Sequence, residues 1–234
     1  HEHKFYYVWY LSKVKGMDIK MKIVKAGYEI LTPISQGGMQ ELQHIEKIAR
    51  VCYKSENLIT EDGESAKKMV KMLINRDHTA MIEHSMLSVK FIVDRGVSHE
   101  IVRHRISSFA QESTRYCNYA KDKFHNEITV IRPNFFLDET SKAYQQWEDA
   151  MRSAEKSYFS LMEAGATPQE ARSVLPNSTK TEITMTANYR EWRNFFKLRT
   201  DKAAHPQMRE VAVPLLKELQ KKLPIVFDDI IVEE

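Results

Sequence analysis

The chain has 234 residues, of which 42% are hydrophobic and 29% are charged, and its formal net charge at pH 7 is +3. This balance is typical of a folded globular protein and excludes a disordered chain. The small net charge disfavours a protein that coats nucleic acid, and no apolar run approaches the ~20 residues of a membrane-spanning helix.

The first residues, HEHKFYYVWYLSKVKG, lack the order of charge, apolar run and small residues that marks a signal peptide. Met17 and Met21 are both candidate starts of the natural chain. We therefore expect residues 1–20 to be an N-terminal extension that is non-native in part, followed by one domain over residues 21–234. The two cysteines form no CxxC pair, so a reducing, cytoplasmic location is the default expectation.

The first half of the chain combines strand-like alternation with helical spacing of apolar residues. Turn residues, above all paired glycines, separate these segments. The predicted elements are a strand over residues 21–34, a helix over 39–55, a second helix capped by Ser65, a strand over 85–93, and a short helix that opens at Val97 or Ser98 and carries the basic residues after it.

Helices dominate the second half of the chain. The predicted elements are a strand over residues 127–133, a helix over 138–164, a helix with Thr167 as its cap and Pro168 at its first position, a strand over 178–188, and helices over 189–199 and 205–223. Strands and helices alternate irregularly, so we predict an α+β fold with a mixed or antiparallel sheet packed against several helices. Neither glycine-rich loop that binds nucleotides is present.

The segment RHRISSFAQESTRY holds an unusual concentration of positive charge. On one continuous helix, Arg103 and Arg105 would point about 200° apart, so two neighbouring anionic ligands explain them better than one. Gln111, Ser113 and Arg115 alternate, so in an extended segment their side chains share one face that could line a polar ligand. The alternative is an ordinary solvated basic turn.

Two later segments carry similar polar groups. Arg172 lies among apolar neighbours, where it is either a plain ion-pair partner or a ligand contact. Asn188, Arg190, Asn194 and Arg199 form a polar face that is either an exposed stripe or the lining of a flavin or nucleotide site, because amides pair well with the imide edge of a ring. The histidines near residues 78–84 are weak evidence for metal, and no metal site is predicted.

These segments together resemble the flavin-dependent thymidylate synthases. Arg103, His104 and Arg105, followed after seven residues by Ser113, are similar to the family's signature, as are HTAMIEH, EARSVLP and NYREWRNFFKLR. The similarity extends from Met21 to Phe227. It implies that family's fold, and a homotetramer whose active sites lie at subunit interfaces. It further implies conversion of dUMP to dTMP with FAD as cofactor, NADPH as reductant and methylenetetrahydrofolate as carbon donor.

The resemblance also implies residue roles. The residues that match dUMP contacts are Glu100, Arg103, Gln111, Glu112, Ser113, Thr114, Arg115, Arg172 and Arg199, with Arg172 serving a site of another subunit. The residues that match FAD contacts are Ala80, Arg103, His104, Arg105, Gln111, Asn188, Tyr189, Arg190 and Asn194, and His78 matches a histidine near the flavin and folate pocket. Three positions depart from the common pattern: Gln111 stands for a glutamate, Glu100 for a glutamine and Ala80 for a serine or threonine.

The uracil ring must become electron-rich at C5 before it can accept a one-carbon unit. Neither Cys117 nor Ser113 has a neighbouring base in the sequence, so we expect no covalent nucleophile. We expect Arg199 to be catalytic instead, by stabilising negative charge on the pyrimidine. Two alternatives stay open: a flavoprotein of the same fold with another substrate, and a nucleic-acid-binding protein that uses the arginine-rich helix.

Overall fold

The computed structural model describes residues 21–115, 119 and 127–232. The six strands in these ranges are β1 (Lys22–Val24), β2 (Gly27–Ile30), β3 (Met86–Asp94), β4 (Ser107–Gln111), β5 (Thr129–Ile131) and β6 (Lys180–Asn188). Their seven α-helices are α1 (Met39–Tyr53), α2 (Glu64–Asn75), α3 (Arg95–Ile101), α4 (Lys142–Glu163), α5 (Pro168–Ala171), α6 (Tyr189–Arg199) and α7 (Pro206–Lys222). The predicted α+β class, with its antiparallel pairing, is confirmed.

The described chain divides into two compact units, each built from separate stretches of sequence. The first unit comprises the described residues of His1–Lys25, Val93–Gly96 and Glu112–Thr181. The second comprises Ala26–Ile92, Val97–Gln111 and the described residues of Glu182–Glu234. Because the chain passes between the units several times, neither corresponds to one continuous segment. The predicted domain limits at residues 20 and 21 stay a prediction.

In the first unit, β1 and β5 pair in parallel, with Ile23 opposite Val130. The buried carboxylate of Glu155 in α4 accepts hydrogen bonds from the backbone N–H groups of Met21 (3.2 Å) and Ile128 (2.9 Å). These N–H groups precede the two strands, so one side chain fixes the helix against the start of both. Burial raises the pKa of this carboxyl group, although the two backbone hydrogen bonds oppose the shift.

The second unit contains a four-stranded sheet of order β2-β3-β6-β4. Alternate residues of β3 and β6 are buried, as strand periodicity requires. Helix α6 packs on this sheet: the ring centroids of Phe91 and Phe195 are 5.9 Å apart, and the indole N–H of Trp192 donates to the carbonyl of Leu87 at 2.9 Å. The sheet therefore fixes the position of α6 and of the polar side chains that it carries.

A buried ion pair within α1 also binds a serine hydroxyl of α2 in the second unit. Arg50 donates to Glu46 at 2.7 Å, and the hydroxyl of Ser65 donates to the other oxygen of the same carboxylate at 2.9 Å. The prediction that Ser65 caps the helix was wrong, because α2 begins at Glu64 after Gly63. Gly63 has φ of +76° and a Cβ there would lie 2.3 Å from the sulfur of Met39, so glycine is required.

Two other predicted elements differ from the structure. The predicted strand over 21–34 is two strands, because β1 pairs with β5 whereas β2 pairs with β3. The helix predicted from residue 138 begins at Lys142, because Asp138 binds the backbone N–H of Thr140 and Ser141 caps the helix. Helix α7 continues through Pro214. Among the described residues, no helix is both long and apolar enough to cross a membrane.

Candidate active site

The structure places the predicted site residues in two groups, one in each unit. The group in the second unit comprises His78, Ala80, Glu100, Arg103, His104, Arg105, Gln111, Asn188, Tyr189, Arg190, Asn194 and Arg199. The group in the first unit comprises Glu112, Ser113, Thr114, Arg115 and Arg172.

The basic residues of RHR follow helix α3 and do not lie on it. The predicted helix opens earlier, at Arg95, and ends at Ile101. Arg103 and Arg105 are exposed, and neither guanidinium has a hydrogen-bond partner among the described residues, whereas His104 between them is only 4% exposed. The backbone directs two cations to solvent and one imidazole inward. Because Arg103 and Arg105 do not lie on a helix, the separation of about 200° expected for them does not apply, and their two different partners stay a prediction.

His104 lies between a carboxylate and a guanidinium. Its Nδ1 is 2.8 Å from Oε1 of Glu191, and its Nε2 accepts a hydrogen bond from Nε of Arg199 at 3.1 Å. The ring packs on Phe195, with centroids 4.9 Å apart. Burial lowers the pKa of His104, assisted by the positive charge of Arg199 and opposed by Glu191. The imidazole is therefore held in its neutral form.

Arg199 is held on two sides. Its Nη1 donates to the carboxylate of Glu100 at 2.9 Å, and its Nη2 donates to the backbone carbonyl of Glu100 at 3.0 Å. With the bond to His104, three of its five N–H donors are used, and two have no partner among the described residues. The side chain is 19% exposed, so this fixed guanidinium is partly accessible to a ligand.

The two predicted amides belong to the N-cap and to the middle of α6. Asn188 caps the helix, with its side-chain oxygen accepting from the N–H of Glu191 at 2.8 Å. The amide nitrogen of Asn194 lies 3.3 Å from Glu191. Arg190 is exposed and pairs with Glu83 at 2.5 Å, whereas Tyr189 is a core residue whose ring packs on Phe227. One half of each amide therefore stays available to a ligand.

The remaining residues of this group lie on other segments. His78 precedes a 3₁₀ segment (Thr79–His84), and its Nδ1 is 3.0 Å from the hydroxyl of Tyr53. Ala80 is exposed on the same segment, with no side-chain hydrogen bond to offer. Gln111 ends β4, and its amide donates to Ser98 at 3.0 Å.

The first unit brings Thr114 and Arg172 together, although 58 residues separate them. Nη1 of Arg172 lies 3.4 Å from the Thr114 hydroxyl, and Nε of Arg115 donates to Gln169 at 3.2 Å. The Ser113 hydroxyl accepts from the N–H of Arg115 at 3.3 Å and contacts no described imidazole or carboxylate. The backbone turns at residues 114–115, so the predicted extended alternation ends there.

Glu112 completes this group, 3.4 Å from both Lys180 and the hydroxyl of Tyr119. Cys117, the other residue considered as a nucleophile, lies outside the described residues.

Sequence reasoning missed Glu191, which is 7% exposed and joins His104 to Asn194. A signal for it was available. Glu191 precedes Phe195 by four residues, so it lies on the apolar face of α6, where a carboxylate is rare unless it has a buried partner. The identity of that partner could not be read from the sequence, because His104 is 87 residues away.

The chain is similar to several known proteins. The family model described as thymidylate synthase complementing protein matches residues 38–225. A flavin-dependent thymidylate synthase of Geobacter sulfurreducens is 32% identical over 77% of this chain and 78% of its own length. One from Corynebacterium aurimucosum is 29% identical over 94% and 93%, respectively.

A solved structure has a similar fold. The UMP/dUMP methylase PolB from Streptomyces cacaoi, bound with 5-Br dUMP, aligns with a TM-score of 0.70 at 22% identity, over 88% of this chain and 95% of that one. The family match spans most of the chain and includes the RHR segment, α6 and Arg199. The chain belongs to the flavin-dependent thymidylate synthase family.

Proposed function

We propose that this protein converts dUMP to dTMP, with methylenetetrahydrofolate as carbon donor, NADPH as reductant and FAD as cofactor. The proposal depends most on one observation: Arg199 is fixed by Glu100 and His104 yet keeps two N–H donors without a partner among the described residues. The family membership and the names of the relatives supply the reaction class. The nucleic-acid-binding alternative has no comparable support.

Arg199 supplies the activation that C5 of uracil needs. A guanidinium presents its N–H groups in a planar fork, which matches the adjacent oxygen and nitrogen at one edge of a pyrimidine. Donors aimed at that edge stabilise negative charge as it develops on O2 and N3, and so increase electron density at C5. Arg199 needs no rearrangement to do this, because three of its N–H donors are already bound to Glu100 and His104.

The reaction proceeds without a covalent enzyme nucleophile. Attack by Ser113 would need a base to take its proton, and its hydroxyl instead accepts a hydrogen bond from the backbone of Arg115. We assign Ser113 to substrate binding, with Glu112, Thr114, Arg115 and the Arg172 of another subunit in a homotetramer. These arginines suit the nucleotide phosphate, while Glu100, Arg103 and Gln111 complete the proposed dUMP contacts.

The donor set of the second unit fits FAD. The guanidinium groups of Arg103 and Arg105 have no partner among the described residues and suit a diphosphate, and Asn188 and Asn194 each keep half of an amide for the ring system. Gln111, Tyr189 and Arg190 complete the proposed contacts, with His104 and Ala80 contributing backbone only and His78 lying at the folate side. When bound, the flavin supplies the hydride that completes the methyl group.

The direct test is an assay of the purified chain with FAD, NADPH, dUMP and methylenetetrahydrofolate. We expect dTMP by liquid chromatography, and none when any one component is left out. UMP is tested in parallel, because a flavoprotein with another substrate is the second candidate and the similar fold of PolB belongs to a UMP/dUMP methylase. Methylation of UMP alone, or bleaching of flavin without any methylated nucleotide, would contradict the proposal.

A further inference from the structure

We infer that His104 and Glu191 are positioning residues: Glu191 holds the imidazole of His104 with its proton on Nδ1, and the bare Nε2 then orients the guanidinium of Arg199. The inference deepens the proposed function, because it names what sets the direction of the residue that activates the substrate. It assigns Glu191 a role and changes that of His104 from flavin contact to support of Arg199.

The hydrogen-bond pattern fixes the tautomer. A guanidinium cannot lose its proton in a protein, so Nε of Arg199 can only donate. The atom that receives this bond at 3.1 Å, Nε2 of His104, must therefore be unprotonated. The one ring proton then lies on Nδ1, which faces Oε1 of Glu191 at 2.8 Å, and a carboxylate is the acceptor that such a proton needs.

Burial and packing hold this chain of bonds in place. His104 and Glu191 are almost fully buried, and Phe195 packs against the imidazole ring. Glu191 also receives the amide of Asn194, so its carboxylate has little freedom to turn. The three linked groups thus form a fixed support, and its exposed end is the guanidinium of Arg199.

The arrangement leaves no ring nitrogen of His104 for a ligand. A flavin or nucleotide that bound either nitrogen would have to break the bond to Arg199 or to Glu191. Breaking the first releases Arg199 on that side, and breaking the second leaves a buried carboxylate without its strongest partner. Contacts of His104 with a ligand are therefore confined to its backbone or to the face of the ring.

Two substitutions separate the two bonds of His104. In His104→Gln, the amide oxygen can reach the place of Nε2 and accept from Arg199, but the donor to Glu191 is lost. In His104→Asn, the shorter amide can keep the donor to Glu191 but cannot reach Arg199. Both variants remove the imidazole, and only His104→Gln keeps an acceptor for Arg199, so a higher kcat in His104→Gln than in His104→Asn reports on the bond to Arg199.

Turnover and cofactor binding are measured for both variants in the FAD-loaded enzyme. We expect kcat of His104→Asn to lie about tenfold or more below that of His104→Gln, as for loss of a hydrogen bond to a charged group. The flavin content of both is expected to match the wild type. Equal kcat values for the two variants, or a loss confined to flavin content, would overturn the inference.

A second measurement does not depend on activity. Nitrogen-15 spectra of wild-type protein labelled at histidine, without nucleotide, report which ring nitrogen of His104 carries the proton, with His104→Gln assigning the signal. A proton on Nδ1 and a bare Nε2 at neutral pH support the inference, and a proton on Nε2 overturns it. If the wild type makes no dTMP while this tautomer is observed, the proposed function fails and the support of Arg199 stands.

Discussion

Arg199 is fixed through three of its five N–H donors and keeps two without a partner among the described residues. Glu100 holds it through both a carboxylate and a backbone carbonyl, and His104 holds its Nε. An arginine in solution loses considerable rotamer entropy when it orders around a ligand, whereas this one has lost that freedom on folding. The donors without partners are therefore oriented in advance, which is how electrostatic stabilisation of a transition state becomes large.

Replacing Arg199 should separate catalysis from cofactor binding. We expect Arg199→Ala to lower kcat/KM for dTMP formation by about 100-fold or more, since removal of one such donor in an enzyme commonly has that effect. Flavin absorbance of the purified variant should be unchanged. Lys197→Ala is the matched control, because Lys197 is an exposed cation in the same last turn of α6. Normal dTMP formation by Arg199→Ala would contradict the electrostatic role.

The neutral state of His104 makes stability depend on pH. The groups that face its ring are Glu191, Arg199 and Phe195, and burial lowers its pKa below the ordinary 6.5. Unfolded chains therefore take up a proton on this residue at a higher pH than folded ones do. Below pH 6.5 the free energy of unfolding therefore decreases as the pH decreases, until the pH passes the pKa of His104 in the folded protein. Above pH 6.5 His104 does not make stability depend on pH.

The measurement is Tm of wild type and His104→Gln between about pH 7.5 and pH 5. We expect the wild type to lose more stability over this range than the variant, which cannot titrate at this position. Parallel curves for the two proteins would show that another group causes the acid loss.

Cys117 tests the absence of a thiol nucleophile. We expect Cys117→Ser to keep dTMP formation within about twofold of the wild type, because the proposed mechanism uses no thiol. Cys52→Ser is the control for loss of a thiol as such, since Cys52 is exposed on α1. A folded, flavin-loaded Cys117→Ser without activity would restore the covalent route.

Helix α6 shows how one element serves both packing and chemistry. One side of it places Trp192, Phe195 and Phe196 in the core, with ring centroids of Trp192 and Phe195 5.2 Å apart. Its two ends carry Asn188 and Arg199. Any shift of this aromatic face relative to the sheet would expose buried area. The packing therefore fixes the position of the helix that carries Asn188 and Arg199.

The buried ion pair between Glu46 and Arg50 makes stability sensitive to the loss of either partner. Glu46→Ala leaves the buried guanidinium of Arg50 without its carboxylate, which should lower the free energy of unfolding by about 3–5 kcal/mol. Glu64→Ala breaks the exposed pair with Lys67 and should change it by less than about 1 kcal/mol. Urea unfolding of both variants checks the difference, and similar losses would show that burial of the Glu46 pair does not matter.

Local sequence patterns predicted the positions of most helices and strands. They did not predict which strands pair or which distant side chains meet. The spacing of apolar residues located α1, α6 and α7, and the Thr167-Pro168 cap is present with its reciprocal bonds to Glu170. By contrast, β1 and β2 were predicted as one strand, because nothing between residues 24 and 27 reveals that they join different sheets. The same limit hid the contact of His104 with Glu191, which depends on how distant elements pack.

At the scale of the molecule, the composition and the resemblance predicted the fold class, whereas the two interleaved units could not be predicted. Each unit draws on stretches that are far apart in sequence, so its limits follow from long-range pairing and not from linker composition. The assembly is likewise beyond local patterns. The proposal that Arg172 serves a site on another subunit must be tested by experiment.

Mixing two inactive chains tests that proposal. If Arg172 and Arg199 of one active site come from different subunits, co-expressed Arg172→Ala and Arg199→Ala chains form some sites with both arginines intact. Random assembly should then restore about one quarter of the wild-type activity. If both residues of a site come from one chain, every site lacks an arginine and activity stays at the level of the single variants.

The order of strands in the second unit also has a consequence for synthesis on the ribosome. Strand β6 lies between β3 and β4, yet it is the last of the four to be made. About 70 residues that follow β4 must leave the ribosome before β6 can pair with β3 and β4. Until then, the edges of β3 and β4 that β6 covers stay unpaired. Such edges recruit other strands, so the nascent chain is most vulnerable to aggregation, and most dependent on chaperones, just before β6 appears.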